Sequence, residues 1–163
     1  MSGREKKLEA GTKFNYSGEF ITLRDQSLLK MFKWIDEGKS LSFKFEDVYL
    51  FFAAPTPGYP ENRASIGPTT SWRMGKFIPR LLDFGAKGFV GKGSLPDEVA
   101  SMIRDKKAYY FQAIGGAGAY YGSKIVAIEP IMFPELGPEA VFKVKVVDFP
   151  LIVSIDKDGR MFF

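Results

Sequence analysis

The stretch that most constrains this chain is Val48–Ala54, VYLFFAA, an apolar run without a single polar interruption. A run of this length suits a strand better than a helix. A strand with one wet face alternates apolar and polar residues, whereas an unbroken apolar strand must be covered on both faces. The fold must therefore put packed structure on each side of its central sheet. No apolar run approaches the ~20 residues needed to cross a bilayer.

The flanking segments say what the covering structure is. Residues 8–16 and 19–23 read as a hairpin turning at Ser17 and Gly18. Asp25 then caps an expected helix over 26–36, with Leu28, Leu29, Phe32 and Ile35 on one face and Gly38 as its stop. The Pro- and Gly-rich segment 55–68 reads as loop. A helix over 71–84, a strand over 87–90, a helix over 97–104 with Pro96 in its first turn, and a strand over 108–114 follow. Gly115 and Gly116 lead into a short helix. Strands over 125–132, 141–147 and 151–155 and a turn at Asp158–Gly159 complete the chain. Strands alternating with helices imply parallel βα units, and hairpins at both ends add antiparallel strands. The expectation is one α/β domain over 1–163, with a mixed sheet in a layered β/β/α arrangement.

Composition narrows the chemistry. The 163 residues include no Cys and no His. The chain thus has no thiolate for zinc or an iron–sulfur cluster, and lacks the commonest general base. Ser, Thr, Tyr, Lys, Arg and carboxylates remain, and no acidic run resembles a calcium loop, so no metal site is expected in this chain. The start, MSGREKKLEAG, is charged and lacks the apolar stretch of a signal peptide, which points to the cytoplasm. A net charge of +4 is compatible with nucleic acid, a membrane surface or small anions. Lys6, Lys7, Lys106 and Lys107 read as solvated surface, since no run reaches the length of a typical basic patch.

Four motifs fall at comparable places: Arg24–Asp25 follows a strand and opens a helix, Gly67-Pro68-Thr69-Thr70-Ser71-Trp72-Arg73 ends a loop and opens a helix, and Gly91-Lys92-Gly93-Ser94 and Gly115-Gly116-Ala117-Gly118 each follow a strand. If those strands are parallel, all four motifs lie outside one sheet edge, where open α/β sheets bind ligands. The residue types there suit a small anion. Arginine grips a carboxylate with two parallel bonds, lysine adds a compact charge, and glycine lets backbone come close. Each motif also has a plainer reading. Thr before a helix is usually a cap, exposed arginines form weak ion pairs, and glycines ease packing. Gly116 and Gly118 do not open a dinucleotide fingerprint, because Tyr121 occupies the third glycine position.

The motif GPTTSWRM, Gly67–Met74, resembles the Gly-Pro-Thr-Thr-x-x-Arg-Met motif of iron–sulfur (class I) fumarase beta subunits and L-tartrate dehydratase beta subunits. GEFITLRD, APTPGYPENRASIGPTT, GKG, IGGAGAYYG and the segment from Glu135 to Gly159 resemble further stretches of that family, in order. The resemblance implies a swivelling β/β/α domain that shares a site with a cysteine-containing alpha subunit. That partner would hold a [4Fe–4S] cluster, and the pair would add water reversibly to a dicarboxylate double bond. By motif position, Arg24 and Arg73 would bind substrate carboxylates, Lys92 would join the anion site, Thr70 would line it, and Thr69 would move a proton at carbon. Two positions depart from the family pattern: Leu28 stands where a His is frequent, and Gly75 where an Asp follows Arg-Met.

Other readings carry different expectations. L-tartrate dehydratase would run the same chemistry on a hydroxylated substrate. A pI of about 9.2 with 16 Phe, 7 Tyr and 2 Trp would also fit a nucleic-acid-binding module, although apolar strand and helix faces account for most of those rings. An assembly protein that has lost catalysis would not need Arg24, Thr69, Arg73 and Lys92 together.

Overall fold

A computed structural model describes residues 8–55, 66–113 and 118–162. Its strands are β1 (Lys13–Leu23), β2 (Tyr49–Pro55), β3 (Ile66–Pro68), β4 (Gly88–Gly91), β5 (Tyr109–Gln112), β6 (Ile125–Met132) and β7 (Val141–Ile155). Its helices are α1 (Asp25–Asp36), α2 (Ser71–Met74), α3 (Ile78–Asp83), α4 (Asp97–Asp105) and α5 (Gly118–Gly122). The chain is α/β, as expected.

The strands form one seven-stranded mixed sheet. β1, β2, β4 and β5 run parallel as neighbours in that order, and β7 lies antiparallel to β5. β7 also pairs antiparallel with β1, from Lys13 opposite Ile152 to Thr22 opposite Phe142, and this closes the sheet into a ring. β6 adds outside the ring along β7, and β3 folds back on β2.

Two buried clusters explain why β2 is apolar throughout. Phe51 and Ala53 point into the ring with Phe20, Val90, Phe111, Phe149 and Val153. Leu50 and Phe52 point the other way, into a layer built with Leu28 and Met31 of α1, Ile78 and Leu81 of α3 and Ile103 of α4. Neither face of β2 meets water, so alternation has no use there. The result is the β/β/α layering expected.

Several boundaries differ from expectation for identifiable reasons. The expected hairpin at 8–23 is instead one continuous strand. Phe14–Tyr16 pair with Phe149–Leu151 rather than with 19–23, and the register shift at Tyr16/Gly18 is taken up as a bulge. The Asp148 N–H donates to Ser17 Oγ at 3.0 Å across that bulge. The strands expected over 141–147 and 151–155 are likewise one, β7, which continues past Asp148 at φ 53° and Pro150 because β1 pairs along its length.

The cap of α1 is also not Asp25. Arg24 holds the N-cap position, its N–H donating to Ser27 Oγ at 2.9 Å and its carbonyl accepting the Ser27 hydroxyl at 3.0 Å. Leu29, assigned to the core face, is 55% exposed, and Met31 is buried instead. The helix expected over 71–84 breaks into α2, a 3-10 turn at Gly75–Phe77, and α3. Pro79 in the first turn of α3 has no N–H with which to continue a longer helix. Pro96 is the N-cap of α4, one position before the first turn. No helix among the described residues is long and apolar enough to cross a membrane.

Candidate functional site

Three of the four sequence motifs meet at the carboxyl ends of the parallel strands, tied by backbone. Leu23, the last residue of β1, sits opposite Phe52 of β2. The Phe52 carbonyl accepts the Thr69 N–H at 2.6 Å, which ties the Thr69 segment to the strand that Leu23 pairs with. Thr70 in turn bridges Lys92, just past β4, and the Ser71 N–H donates to the Lys92 carbonyl at 2.9 Å. Arg73 in α2 reaches back to α1, its Nη2 lying 3.3 Å from both carboxylate oxygens of Asp25. Of the fourth motif only Gly118, the first residue of α5, is among the described residues; Gly115–Ala117 lie outside them.

The environments of these side chains differ. Arg24, Thr69 and Lys92 are half-buried, Thr70 is exposed, and the Arg73 side chain is 54% exposed. Arg24 Nε is buried with no hydrogen-bond partner among the described residues. A buried guanidinium N–H without an acceptor is costly, and an anion is the natural acceptor for it. Thr22 Oγ1, two residues earlier on β1, is likewise buried without a partner among the described residues.

Beneath the Thr69–Arg73 segment runs a buried hydrogen-bond chain that sequence reasoning missed. The Lys92 N–H donates to Ser71 Oγ at 3.0 Å, and Ser71 Oγ lies 2.7 Å from the Tyr110 hydroxyl. The Tyr110 hydroxyl is also 2.5 Å from the Gly93 carbonyl, which can only accept. Tyr110 therefore donates to Gly93, and the Ser71 hydroxyl donates to Tyr110. Burial pushes the Tyr110 phenol well above its ordinary range, outweighing the bond from Ser71, so it keeps its proton. Gly91 makes the approach possible: a Cβ there would lie 1.8 Å from Ser71 Oγ. Tyr110 gave no signal in the sequence, since it reads as one more apolar residue of a strand.

The two departures from the family pattern are buried. Leu28 is fully buried in the layer between helices and sheet. Gly75 is buried under Pro96, whose Cδ would be 3.3 Å from a Cβ at that position. Most aromatic side chains pack in the two clusters, which accounts for their number without a nucleic-acid surface. Among the described residues no group of three or more His, Cys, Asp or Glu side chains could hold a metal ion. The chain also has no cysteine, so its own residues do not fit an iron–sulfur cluster.

A closed α/β ring with a helix layer, carrying cationic and hydroxyl side chains where its parallel strands end, is the class of domain that this geometry defines. The chain belongs to the fumarase C-terminus family, whose model matches residues 3–163. It is 33% identical over 157 residues to the anaerobic class I fumarate hydratase of Escherichia coli strain K12, covering 93% of this chain and 28% of that protein. Fumarate hydratase 2 of Leishmania major is 31% identical over 154 residues, covering 92% of this chain and 27% of the relative. The L(+)-tartrate dehydratase subunit beta of Escherichia coli strain K12 is 28% identical over 159 residues, covering 94% of this chain and 78% of that subunit. The chain thus spans little more than a quarter of the fumarate hydratases it matches.

Proposed function

We propose that this chain is the beta component of a [4Fe–4S] hydro-lyase that adds water to fumarate to give malate. It would work in the cytoplasm with a cysteine-containing alpha partner as a hetero-oligomer. The observation that carries this reading is Arg24. Among the described residues its Nε is buried without an acceptor, at a strand end tied by backbone to Thr69 and, through Thr70, to Lys92. A dicarboxylate would supply the missing acceptor.

In this reading each side chain has a separable task. Arg24 and Arg73 grip the substrate carboxylates, each with two N–H donors. Lys92 adds positive charge where the dianion sits. The exposed Thr70 hydroxyl lines the substrate. Thr69 gives a proton to one carbon of the double bond in hydration and takes it back in dehydration, while hydroxide adds to or leaves the other carbon. A threonine hydroxyl is a weak base alone and needs a neighbouring group to activate it. These residues include no cysteine, and in this reading the cluster and its Lewis acidity come from the partner.

A second reading, L-tartrate dehydratase, is supported by the match to that enzyme's subunit beta over 78% of its length. Copurification with a cysteine-bearing partner, followed by steady-state rates of the pair on fumarate, malate and tartrate, tests both. The pair should hydrate fumarate and the isolated chain should not. Full activity of the isolated chain without iron would overturn the proposal, and a preference for tartrate would select the second reading.

A further inference from the structure

The chain of bonds Lys92–Ser71–Tyr110–Gly93 joins two segments that carry proposed site residues, and it is unusually complete. Every donor in it has an acceptor, it lies under α2, and it requires a glycine at position 91. Tyr110 is fully buried, and none of the roles assigned above uses its hydroxyl. The hydroxyl touches both Ser71, at the start of α2, and Gly93, beyond Lys92. Together with the Ser71 N–H bond to the Lys92 carbonyl, this fixes the backbone of Lys92 from both sides. We infer that Tyr110 is a positioning residue that locks Lys92 to the start of α2 and so sets the affinity of the site for a dicarboxylate. The inference rests on the hydration reading for its kinetic consequence, but not for the lock itself.

The test is Tyr110→Phe, which removes one oxygen and keeps the ring. In the pair with its cysteine-bearing partner, KM for fumarate should rise about five- to ten-fold, the loss of roughly one net hydrogen bond. In a Lys92→Ala background the same change should raise KM less than about twofold, because the residue being positioned is gone. A merely structural role would raise KM by the same factor in both backgrounds, and that result, or an unchanged KM, overturns the inference. A second measurement needs no activity. In the full chain, the Ser71 and Lys92 amides of Tyr110→Phe should exchange hydrogen at least about tenfold faster, while core β2 amides hold their rates. Faster exchange in a pair that hydrates no dicarboxylate would sink the hydration reading and leave the lock standing; unchanged exchange would sink the lock. Should Tyr110→Phe fail to accumulate, Ser71→Ala removes the acceptor of the Lys92 N–H and should give the same pattern.

Discussion

Replacing Arg24 by Met should stabilise the free chain and abolish its hold on dicarboxylates. Arg24 caps α1 through its backbone alone: its N–H donates to Ser27 Oγ, and its carbonyl accepts from the Ser27 hydroxyl and the Leu28 N–H. Met can take the same extended conformation, at φ −133° and ψ −178°, and keep all three bonds. What the substitution removes is a guanidinium whose Nε is buried without an acceptor among the described residues. Such a group costs about 1–3 kcal/mol. Met fills a similar volume with apolar atoms, so most of that should be recovered. For a domain of this size each kcal/mol moves Tm by about 2–4 °C, so the free variant should melt roughly 2–8 °C above the parent. Calorimetry of both chains, with and without succinate, reads the effect. Succinate should raise the parent's Tm and leave the variant's unchanged. A Tm lowered by several degrees would mean that the guanidinium has a stabilising partner in the free chain, and the reasoning would fail.

The remaining expectations are independent of that one. Arg73→Ala should lower kcat/KM of the reconstituted pair by roughly 10- to 100-fold, the ~1.5–3 kcal/mol of hydrogen bonds to a charged group; an effect below twofold removes Arg73 from the site. Its exposed pair with Asp25 should matter little to Tm. Thr22→Val replaces a buried hydroxyl that lacks a partner among the described residues, and should raise stability by about 1 kcal/mol in urea titrations; a loss of that size would reveal a bond to Thr22 Oγ1. Buried Asp156 accepts the N–H groups of Ala10, Asp158 and Arg160. Burial pushes its carboxyl up, but those bonds and the Arg160 charge prevail and hold it below its ordinary 3.8. A carboxyl lowered by folding adds stability above its unfolded pKa and loses it as pH falls through the folded value. Asp156→Asn should therefore be less stable than the parent at pH 7, with the gap shrinking below about pH 4; a gap independent of pH would refute the assignment.

The legible parts of this fold were those where one local signal decides the outcome. Val48–Ala54 could only be a strand covered on both faces, and Phe51 and Phe52 do point into separate clusters. The βα alternation from Tyr49 to Gln112 gave the parallel order, and with it the shared edge for Arg24, Thr69, Arg73 and Lys92. The failures came where a distant partner overrides a local one. Ser17–Gly18 has turn composition, but β7 supplies better pairing than a hairpin would. Asp148 and Pro150 interrupt an apolar pattern without interrupting the strand, because β1 runs alongside. At the site, charges and glycines were visible as motifs, whereas the bond between Ser71 and Tyr110 joins residues from separate elements and left no trace in either.

The pairing of β1 with β7 has a consequence for how the protein is made. β1 leaves the ribosome before the other strands of this sheet, yet the strand that covers its outer edge is the last of them to follow. Until β7 arrives, that edge offers a row of unpaired backbone groups to any passing strand. Closing a contact so distant in sequence is slow, on the order of milliseconds to seconds. Nascent chains should therefore need shielding until β7 has emerged, and truncation before residue 141 should yield aggregates rather than a smaller soluble domain.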